Sequence, residues 1–276
     1  MSKTLYISDL DGTLLNKKAE LTCDAKAVLN QLIASGAYFT VATARTLDTV
    51  LHILGDIRLN VPAVLNNGAS IYDTASGVHV KNEVIDRLAA AHLFNTLRDY
   101  DITGFAFTFD EDIQFYYENL DDEHRRAFHD ERSGTYGRIY TQVQSFSELV
   151  NNDVIYFSTC DTYMRLLPVY EVLKADMRLR VEFYRDVYHE HNWYLEICAQ
   201  SASKYNAVMY LREVYGFERV VSFGDNLNDL PMFKASDVCI AVENARQEVK
   251  DAADIICGAN ESDGVAKWLA QNVLGV

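Results

Sequence analysis

The chain has 276 residues, of which 49% are apolar and 24% are charged, so a disordered polyelectrolyte is excluded. Its 25 basic and 40 acidic residues give a formal net charge of −15, which argues against a broad nucleic-acid footprint. No apolar run approaches the roughly 20 residues of a membrane span. The first residues carry no signal-peptide core, so we expect a cytoplasmic protein without a membrane partner.

The N-terminal part of the chain alternates between strand and helix patterns. Apolar runs at residues 5–7, 38–42 and 61–65 predict strands, and the segments 25–33 and 46–54 predict helices between them. This order is typical of a parallel sheet with helices on both faces. Asn66-Asn67-Gly68 then turns the chain, and a hairpin is predicted from the runs 70–72 and 78–80.

The middle of the chain has a different pattern, in which hairpins mix with helices. Helices are predicted at 85–100, 122–132 and 163–175, and strands at 105–109, 113–117, 154–159, 179–184 and 193–199. This mixture indicates an α+β unit with a mostly antiparallel sheet. The first pattern then returns, with helices predicted at 204–215, 245–252 and 265–273 and strands at 219–223, 238–242 and 254–256.

The predicted fold class is therefore α/β. A Rossmann-like, doubly wound and mostly parallel core is formed by residues 1–82 and 200–276, and an α+β domain of residues 83–199 is inserted into it.

Polar residues follow the predicted core strands, at the edge where open parallel sheets bind ligands. Asp9 and Asp11 point to one side of an extended segment, which suits a divalent cation or a nucleophile beside a general acid. A solvated Asp-x-Asp-Gly turn fits that segment equally well. Lys204 at a helix start favours a bound anion, and Thr43 could bind a phosphate oxygen or cap a helix. The acidic loop 224–229 could also be a helix cap.

Together these clusters resemble the four motifs of the haloacid dehalogenase (HAD) superfamily. They match in order and spacing: Asp9-Leu10-Asp11-Gly12-Thr13-Leu14, Thr43, Lys204, and Gly224-Asp225 with Asn228-Asp229. Three further segments are similar to the Cof-type branch, which carries a C2-type (IIB) cap between the second and third motifs: Asn66-Asn67-Gly68-Ala69, Glu243-Asn244-Ala245 and Asp263-Gly264-Val265-Ala266. The sequence departs from that branch at Ala44 and Tyr205, where glycine is usual.

The resemblance implies a Mg²⁺-dependent phosphatase of small phosphorylated metabolites, with sugar phosphates or phosphorylated cofactors as substrates. It makes Asp9 the nucleophile that forms an aspartyl-phosphate, and Asp11 the general acid and base. It assigns Mg²⁺ to Asp9, the main-chain carbonyl of Asp11 and Asp225. It assigns phosphate oxygens to the side chains of Lys204, Thr43 and Asn228 and to the amides of Leu10 and Ala44, with Asp229 and Arg45 in supporting roles.

Two alternatives stay open at this point. A HAD-type phosphomutase would use the same four motifs, and a phospho-Asp signalling module would also carry acidic residues and a lysine at strand ends. We expect a monomer or a homodimer. No transition-metal site is expected at His189-Glu190-His191, because no third ligand follows at a recognisable spacing.

Overall fold

The computed structural model describes residues 3–185 and 192–276, and the segment His189-Glu190-His191 lies outside them. In chain order the strands are β1 (Thr4–Ser8), β2 (Tyr38–Val41), β3 (Ala63–Leu65), β4 (Ser70–Asp73), β5 (Val78–Asn82), β6 (Phe105–Asp110), β7 (Asp112–Tyr117), β8 (Tyr140–Gln142), β9 (Asp153–Thr162), β10 (Leu179–Arg185), β11 (Asn192–Ala199), β12 (Arg219–Gly224), β13 (Val238–Val242) and β14 (Ile255–Cys257). The helices are α1 (Cys23–Ala34), α2 (Leu47–Leu54), α3 (Arg87–Asp99), α4 (Glu123–Tyr136), α5 (Tyr163–Leu173), α6 (Lys204–Tyr215), α7 (Leu230–Lys234), α8 (Gln247–Asp251) and α9 (Gly264–Leu269).

The chain divides into two compact units, Met1–Lys81 with Ser203–Val276, and Asn82–Ala202. The first unit contains a five-stranded parallel sheet in the order β14-β13-β12-β1-β2. In its centre Tyr6 of β1 lies opposite Val221 of β12 and Phe39 of β2. Helix packing covers this sheet, so its strands are short apolar runs with little alternation.

The third predicted strand does not continue this parallel sheet as we expected. β3 makes one parallel bridge to the end of β2, between Val64 and Ala42, and then pairs antiparallel with β4 in a three-stranded sheet with β5. All three residues of β3 are buried, and an apolar run of this length carries no information about its partner. The expected parallel pairing beyond that single bridge is therefore wrong.

The second unit is an α+β structure with its own core. Its six-stranded sheet has the order β10-β11-β9-β6-β7-β8, and its pairs are antiparallel except for the parallel pair of β7 and β8. α3 and α5 pack on each other, and their apolar faces share a buried cluster with one side of the sheet. The predicted fold class, a mostly parallel α/β core with an inserted α+β region, is confirmed.

Side-chain caps explain where two helices of the first unit begin. The Thr22 hydroxyl accepts a hydrogen bond from Ala25 N at the start of α1, and the Ser203 hydroxyl accepts one from Asn206 N at the start of α6. α6 ends at Gly216, which adopts the left-handed conformation with φ +68°. In the described part of the chain, every helix is too short or too polar to span a bilayer.

Candidate functional site

The predicted site residues lie at the carboxyl ends of three neighbouring strands in the first unit. β12, β1 and β2 run parallel side by side, so the segments that follow them leave the same edge of the sheet. Asp225 directly follows β12, Asp9 directly follows β1, and Thr43 lies two residues after β2. Lys204, the first residue of α6, also reaches this edge. Residues almost 200 positions apart in the chain are therefore side-chain neighbours.

A buried lysine bridges two buried carboxylates at this edge. Lys204 Nζ donates to Asp9 Oδ1 at 2.6 Å and to Asp229 Oδ1 at 2.7 Å. The exposed fraction is 1% for Lys204, 5% for Asp9 and 0% for Asp229. Because a buried charge needs a partner, the position of Lys204 depends on both carboxylates. The supporting role of Asp229 stays a prediction.

The second oxygen of Asp229 organises the loop that carries Asp225. Asp229 Oδ2 accepts hydrogen bonds from the backbone N–H groups of Asp225, at 2.9 Å, and Asn226, at 3.1 Å. Gly224 lies directly before this loop, and a Cβ there would come within 2.6 Å of the Asp229 Cβ. The glycine is therefore required by the close approach of the Asp229 side chain to the strand end.

The side chain of Asp225 is held from the loop after β1. The Thr13 hydroxyl donates to Asp225 Oδ1 at 2.8 Å. Gly12 has φ +75°, and a Cβ at this position would overlap Asp225 Oδ2. The Asp-Gly-Thr sequence after Asp9 thus leaves room for the Asp225 carboxylate and binds one of its oxygens.

Burial of several carboxylates with one lysine shifts their pKa values. Burial raises the pKa of Asp9 well above its usual range, Lys204 opposes this shift, and the nearby carboxylates of Asp229 and Asp225 add to it. Burial, assisted by the charge of Asp229, also raises the pKa of Asp225 to about 6. Burial by itself lowers the pKa of Lys204, but the charges of Asp229 and Asp9 raise it above its usual value. The site therefore disfavours the ionised forms of Asp9 and Asp225 unless a further cation is present.

Asp9 and Asp225 fit a divalent cation better than Asp229 does. One oxygen from each of the three carboxylates lies within 4.8 Å of the others. Both oxygens of Asp229 accept hydrogen bonds, whereas no donor in residues 3–185 and 192–276 reaches the Oδ2 atom of Asp9 or of Asp225. Carboxylate oxygens are the hard ligands that Mg²⁺ prefers. The residues present therefore fit the predicted Mg²⁺, with Asp9 and Asp225 as side-chain ligands.

Asp11 lies at the more exposed side of the cluster and pairs with Arg45. Arg45 Nε donates to Asp11 Oδ2 at 2.7 Å, and Arg45 Nη2 donates to Asp11 Oδ1 at 2.6 Å. The side chain of Asp11 is 51% exposed and that of Arg45 is 22% exposed. This two-point contact fixes the plane of the Asp11 carboxylate, as a lysine could not do.

Hydrogen-bond donors for an anion surround the same edge. The Thr43 hydroxyl accepts from Arg45 N at 3.1 Å, so its own hydrogen remains available for donation. Asn228 Nδ2 donates to Asn67 Oδ1 at 3.2 Å. Leu10 and Ala44 directly follow Asp9 and Thr43 in the two loops, and the assignment of their amides to phosphate stays a prediction.

Three residues at this edge had no role in the sequence-based assignment. Thr13 binds Asp225, Asn67 binds Asn228, and Asn244 donates from Nδ2 to the Gly12 carbonyl at 2.7 Å while its Oδ1 accepts from Asn260 N at 2.9 Å. All lie in segments that resemble family motifs, but no signal in a single sequence indicates which long-range partner such a residue binds.

The family is decided by comparison with known proteins. The model of the haloacid dehalogenase-like hydrolase family matches residues 6–269. The chain belongs to this family. Among its relatives is a 5-amino-6-(5-phospho-D-ribitylamino)uracil phosphatase, YwtE of Bacillus subtilis, which is 26% identical with 97% of each chain covered. Another is the pyridoxal phosphate phosphatase YbhA of Escherichia coli, which is 25% identical and covers 99% of this chain and 100% of its own length.

A solved structure matches this HAD-like hydrolase over almost its full length. The crystal structure of TM0651 from Thermotoga maritima superposes with a TM-score of 0.79 at 26% identity, covering 98% of this chain and 97% of its own. Coverage of this extent includes the inserted α+β region as well as the parallel core. The prediction of a HAD-superfamily hydrolase of the Cof type is confirmed.

Proposed function

We propose that this HAD-like hydrolase is a Mg²⁺-dependent phosphatase of small phosphorylated metabolites that works through an aspartyl-phosphate on Asp9. The observation that carries the proposal is the contact of Lys204 with Asp9 beside Asp225. Lys204 holds Oδ1 of the buried Asp9 carboxylate, and Asp9 Oδ2 has no protein donor among the described residues. This arrangement suits a nucleophile that approaches an anion.

In the first step, Asp9 Oδ2 attacks phosphorus and forms an acyl-phosphate bond while the bond to the leaving-group oxygen breaks. Asp11 in its protonated form gives its proton to that oxygen, so the leaving group departs as a neutral alcohol. Lys204 keeps Asp9 in place through Oδ1 and supplies positive charge to the phosphoryl oxygens.

In the second step, Asp11 takes a proton from a water molecule, and the water oxygen attacks phosphorus. The bond between phosphorus and Asp9 breaks, inorganic phosphate leaves, and the Asp9 carboxylate is restored. The two-point contact with Arg45 suits this step, because it fixes the plane of the carboxylate that accepts the proton.

Mg²⁺, when bound by Asp9 and Asp225, would reduce the repulsion between a carboxylate nucleophile and an anionic phosphate group. The Thr43 hydroxyl and Asn228 amide bind phosphate oxygens in this proposal, together with the amides of Leu10 and Ala44. Asp229 orients Lys204 through the contact described above.

The substrate class follows from the relatives rather than from the site. One named relative acts on a ribitylamino-uracil phosphate and another on pyridoxal phosphate, so both compounds are candidates. The family resemblance adds sugar phosphates to them. We assign substrate selection to the second unit, as the family resemblance implies. A cytoplasmic location, a monomeric or dimeric state and the lack of a nucleic-acid partner stay predictions.

The proposal is tested by measuring phosphate release from a panel of these three kinds of ester. The protein is assayed with Mg²⁺, with excess EDTA, and as the Asp9→Asn variant. Asp24→Asn serves as the matched control, because Asp24 is an exposed aspartate in the first turn of α1. We expect release that requires Mg²⁺, is lost in Asp9→Asn and is unchanged in Asp24→Asn.

Two results would contradict the proposal. Folded protein that releases no phosphate from any ester in the presence of Mg²⁺ excludes a broad phosphatase. An isomeric sugar phosphate without free phosphate, formed only with a bisphosphate activator, identifies a phosphomutase instead.

A further inference from the structure

Three consecutive residues after β3 adopt the left-handed backbone conformation. The φ angles are +49° at Asn66, +54° at Asn67 and +98° at Gly68. Both asparagines are buried. A left-handed conformation is uncommon for residues other than glycine, and such strained backbone persists where surrounding contacts require it.

The contacts of this turn lead to the residues assigned above to phosphate binding. Asn67 N donates to the Thr43 carbonyl at 2.9 Å, and Asn67 Oδ1 accepts from Asn228 Nδ2 at 3.2 Å. A Cβ on Gly68 would overlap the backbone carbonyl of Ser203, the residue directly before Lys204. The turn therefore contacts each of the three segments that carry Thr43, Asn228 and Lys204.

We propose that Asn67 is a positioning residue that orients the Asn228 amide for phosphate binding, within a turn that braces all three phosphate-binding segments. This rests on the proposed function, which assigns Asn228 to a phosphate oxygen. An asparagine amide has two N–H hydrogens and one oxygen. Donation of one hydrogen to Asn67 Oδ1 fixes which end of the Asn228 amide carries the donors, and it leaves the second N–H for the anion.

The residue types agree with this role. Asparagine is among the few side chains that tolerate the left-handed conformation, and it also supplies the acceptor for Asn228. Glycine at position 68 allows the close approach to Ser203, because any Cβ there would overlap the Ser203 backbone. Without the acceptor on Asn67, the Asn228 amide is free to turn its oxygen toward the anion, and this repels phosphate.

The test uses Asn67→Gly, which keeps a residue suited to the left-handed backbone and removes the side chain that carries the acceptor. The affinity for inorganic phosphate is measured calorimetrically in the presence of Mg²⁺, and KM and kcat are measured on an ester that the protein hydrolyses. We expect the dissociation constant of phosphate and KM to rise about fivefold, the loss typical of one hydrogen bond, while kcat changes less than about twofold.

Asn228→Ala and the double variant separate positioning from a general structural role. Asn228→Ala alone is expected to weaken phosphate binding at least as much as Asn67→Gly. In the Asn228→Ala background, the additional effect of Asn67→Gly should fall below about twofold, because the two residues then share one function.

An equal effect of Asn67→Gly in both backgrounds, or an unchanged dissociation constant of phosphate, overturns the proposal. Failure of the proposed function is a separate result, since it appears as wild-type protein that binds phosphate but hydrolyses no ester. The coupling of the two asparagines is still read from phosphate binding in that case. Wild-type protein that binds no inorganic phosphate overturns the inference as well.

Discussion

The guanidinium of Arg45 holds both carboxylate oxygens of Asp11 in one plane, at 2.7 Å and 2.6 Å. This contact orients the Asp11 carboxylate, which accepts a proton from water in the second proposed step. Donation of a proton to the leaving group needs the neutral form, so the pair has to open during the first step. Arg45 is therefore expected to act mainly on hydrolysis of the aspartyl-phosphate.

Arg45→Ala should slow this second step about 10- to 100-fold, the usual effect of a misplaced catalytic group. Because the second step is common to all substrates, kcat should fall by a similar factor for alkyl and aryl esters. The aspartyl-phosphate should accumulate as a burst of alcohol in rapid-quench measurements. Arg45→Lys keeps the charge without the two-point contact and should lie between wild type and Arg45→Ala. A raised KM with unchanged kcat would instead identify Arg45 as a phosphate ligand.

The raised pKa of Asp225 predicts a pH-dependent response to Mg²⁺. The pKa of this carboxyl is about 6 in the folded protein and 3.8 in its unperturbed state. The folded form holds the proton more tightly, so the stabilising contribution of this carboxyl in the absence of metal is complete below pH 3.8 and is lost as the pH rises through about 6. Mg²⁺ binds the ionised carboxylate and offsets this loss. The increase in Tm caused by Mg²⁺ should therefore be larger at pH 7.5 than at pH 5.

Asp225→Asn supplies the control for that measurement. It removes one negative charge from the buried cluster, so we expect a higher Tm in EDTA at pH 7.5 than for wild type, and almost no response to Mg²⁺. Asp24→Asn should respond to Mg²⁺ as wild type does. A full Mg²⁺ response in Asp225→Asn would place the cation elsewhere.

Lys204→Met should destabilise the protein strongly, because it leaves Asp9 and Asp229 buried without their shared cation. The loss in the free energy of unfolding is expected to be about 3–5 kcal/mol, as for the removal of one partner from a buried ion pair. Adding Asp229→Asn to Lys204→Met removes one of the unpaired charges and should recover part of that loss. Urea denaturation in EDTA measures both effects. A double variant less stable than Lys204→Met would show that the hydrogen bonds from Asp229 to the Asp225 and Asn226 amides matter more than its charge.

Much of the parallel core and the grouping of its polar residues could be predicted because both follow from strand polarity. Once β1, β2 and β12 are parallel neighbours, Asp9, Thr43 and Asp225 must leave the same edge of the sheet. The bidentate contact of Arg45 with Asp11 could not be predicted in this way. It depends on the direction of two side chains 34 positions apart, which strand order does not determine.

The differences between the predicted and observed elements have separate causes. β8 is three residues long and mostly exposed, so it has no apolar alternation, and within residues 3–185 and 192–276 it pairs with β7 alone. The helix predicted to end near residue 132 continues to Tyr136 and is closed by Gly137 in the left-handed conformation. β3 was assigned to the wrong sheet because a short apolar run does not specify its neighbour.

A last prediction concerns Glu196, which lies on β11 in the second unit. Its Oε2 atom is buried and receives no hydrogen bond from the described residues. Burial raises its pKa from 4.5 to about 7, the nearby hydroxyl groups of Tyr156 and Tyr184 oppose this shift, and the charge of Glu182 adds to it. Stability from the neutral form is therefore present below pH 4.5 and is lost as the pH rises through about 7.

Glu196→Gln keeps the shape of the side chain but cannot ionise. Relative to this variant, wild type should lose on the order of 2–3 kcal/mol of unfolding free energy between pH 5 and pH 8, as measured by urea denaturation. Glu213→Gln, at an exposed position of α6, is the matched control and should follow the wild-type pH profile. Equal pH profiles for wild type and Glu196→Gln would contradict this prediction. They would mean that the ionised carboxylate gains hydrogen-bond donors as it forms, because an unsatisfied buried charge would lower the free energy of unfolding.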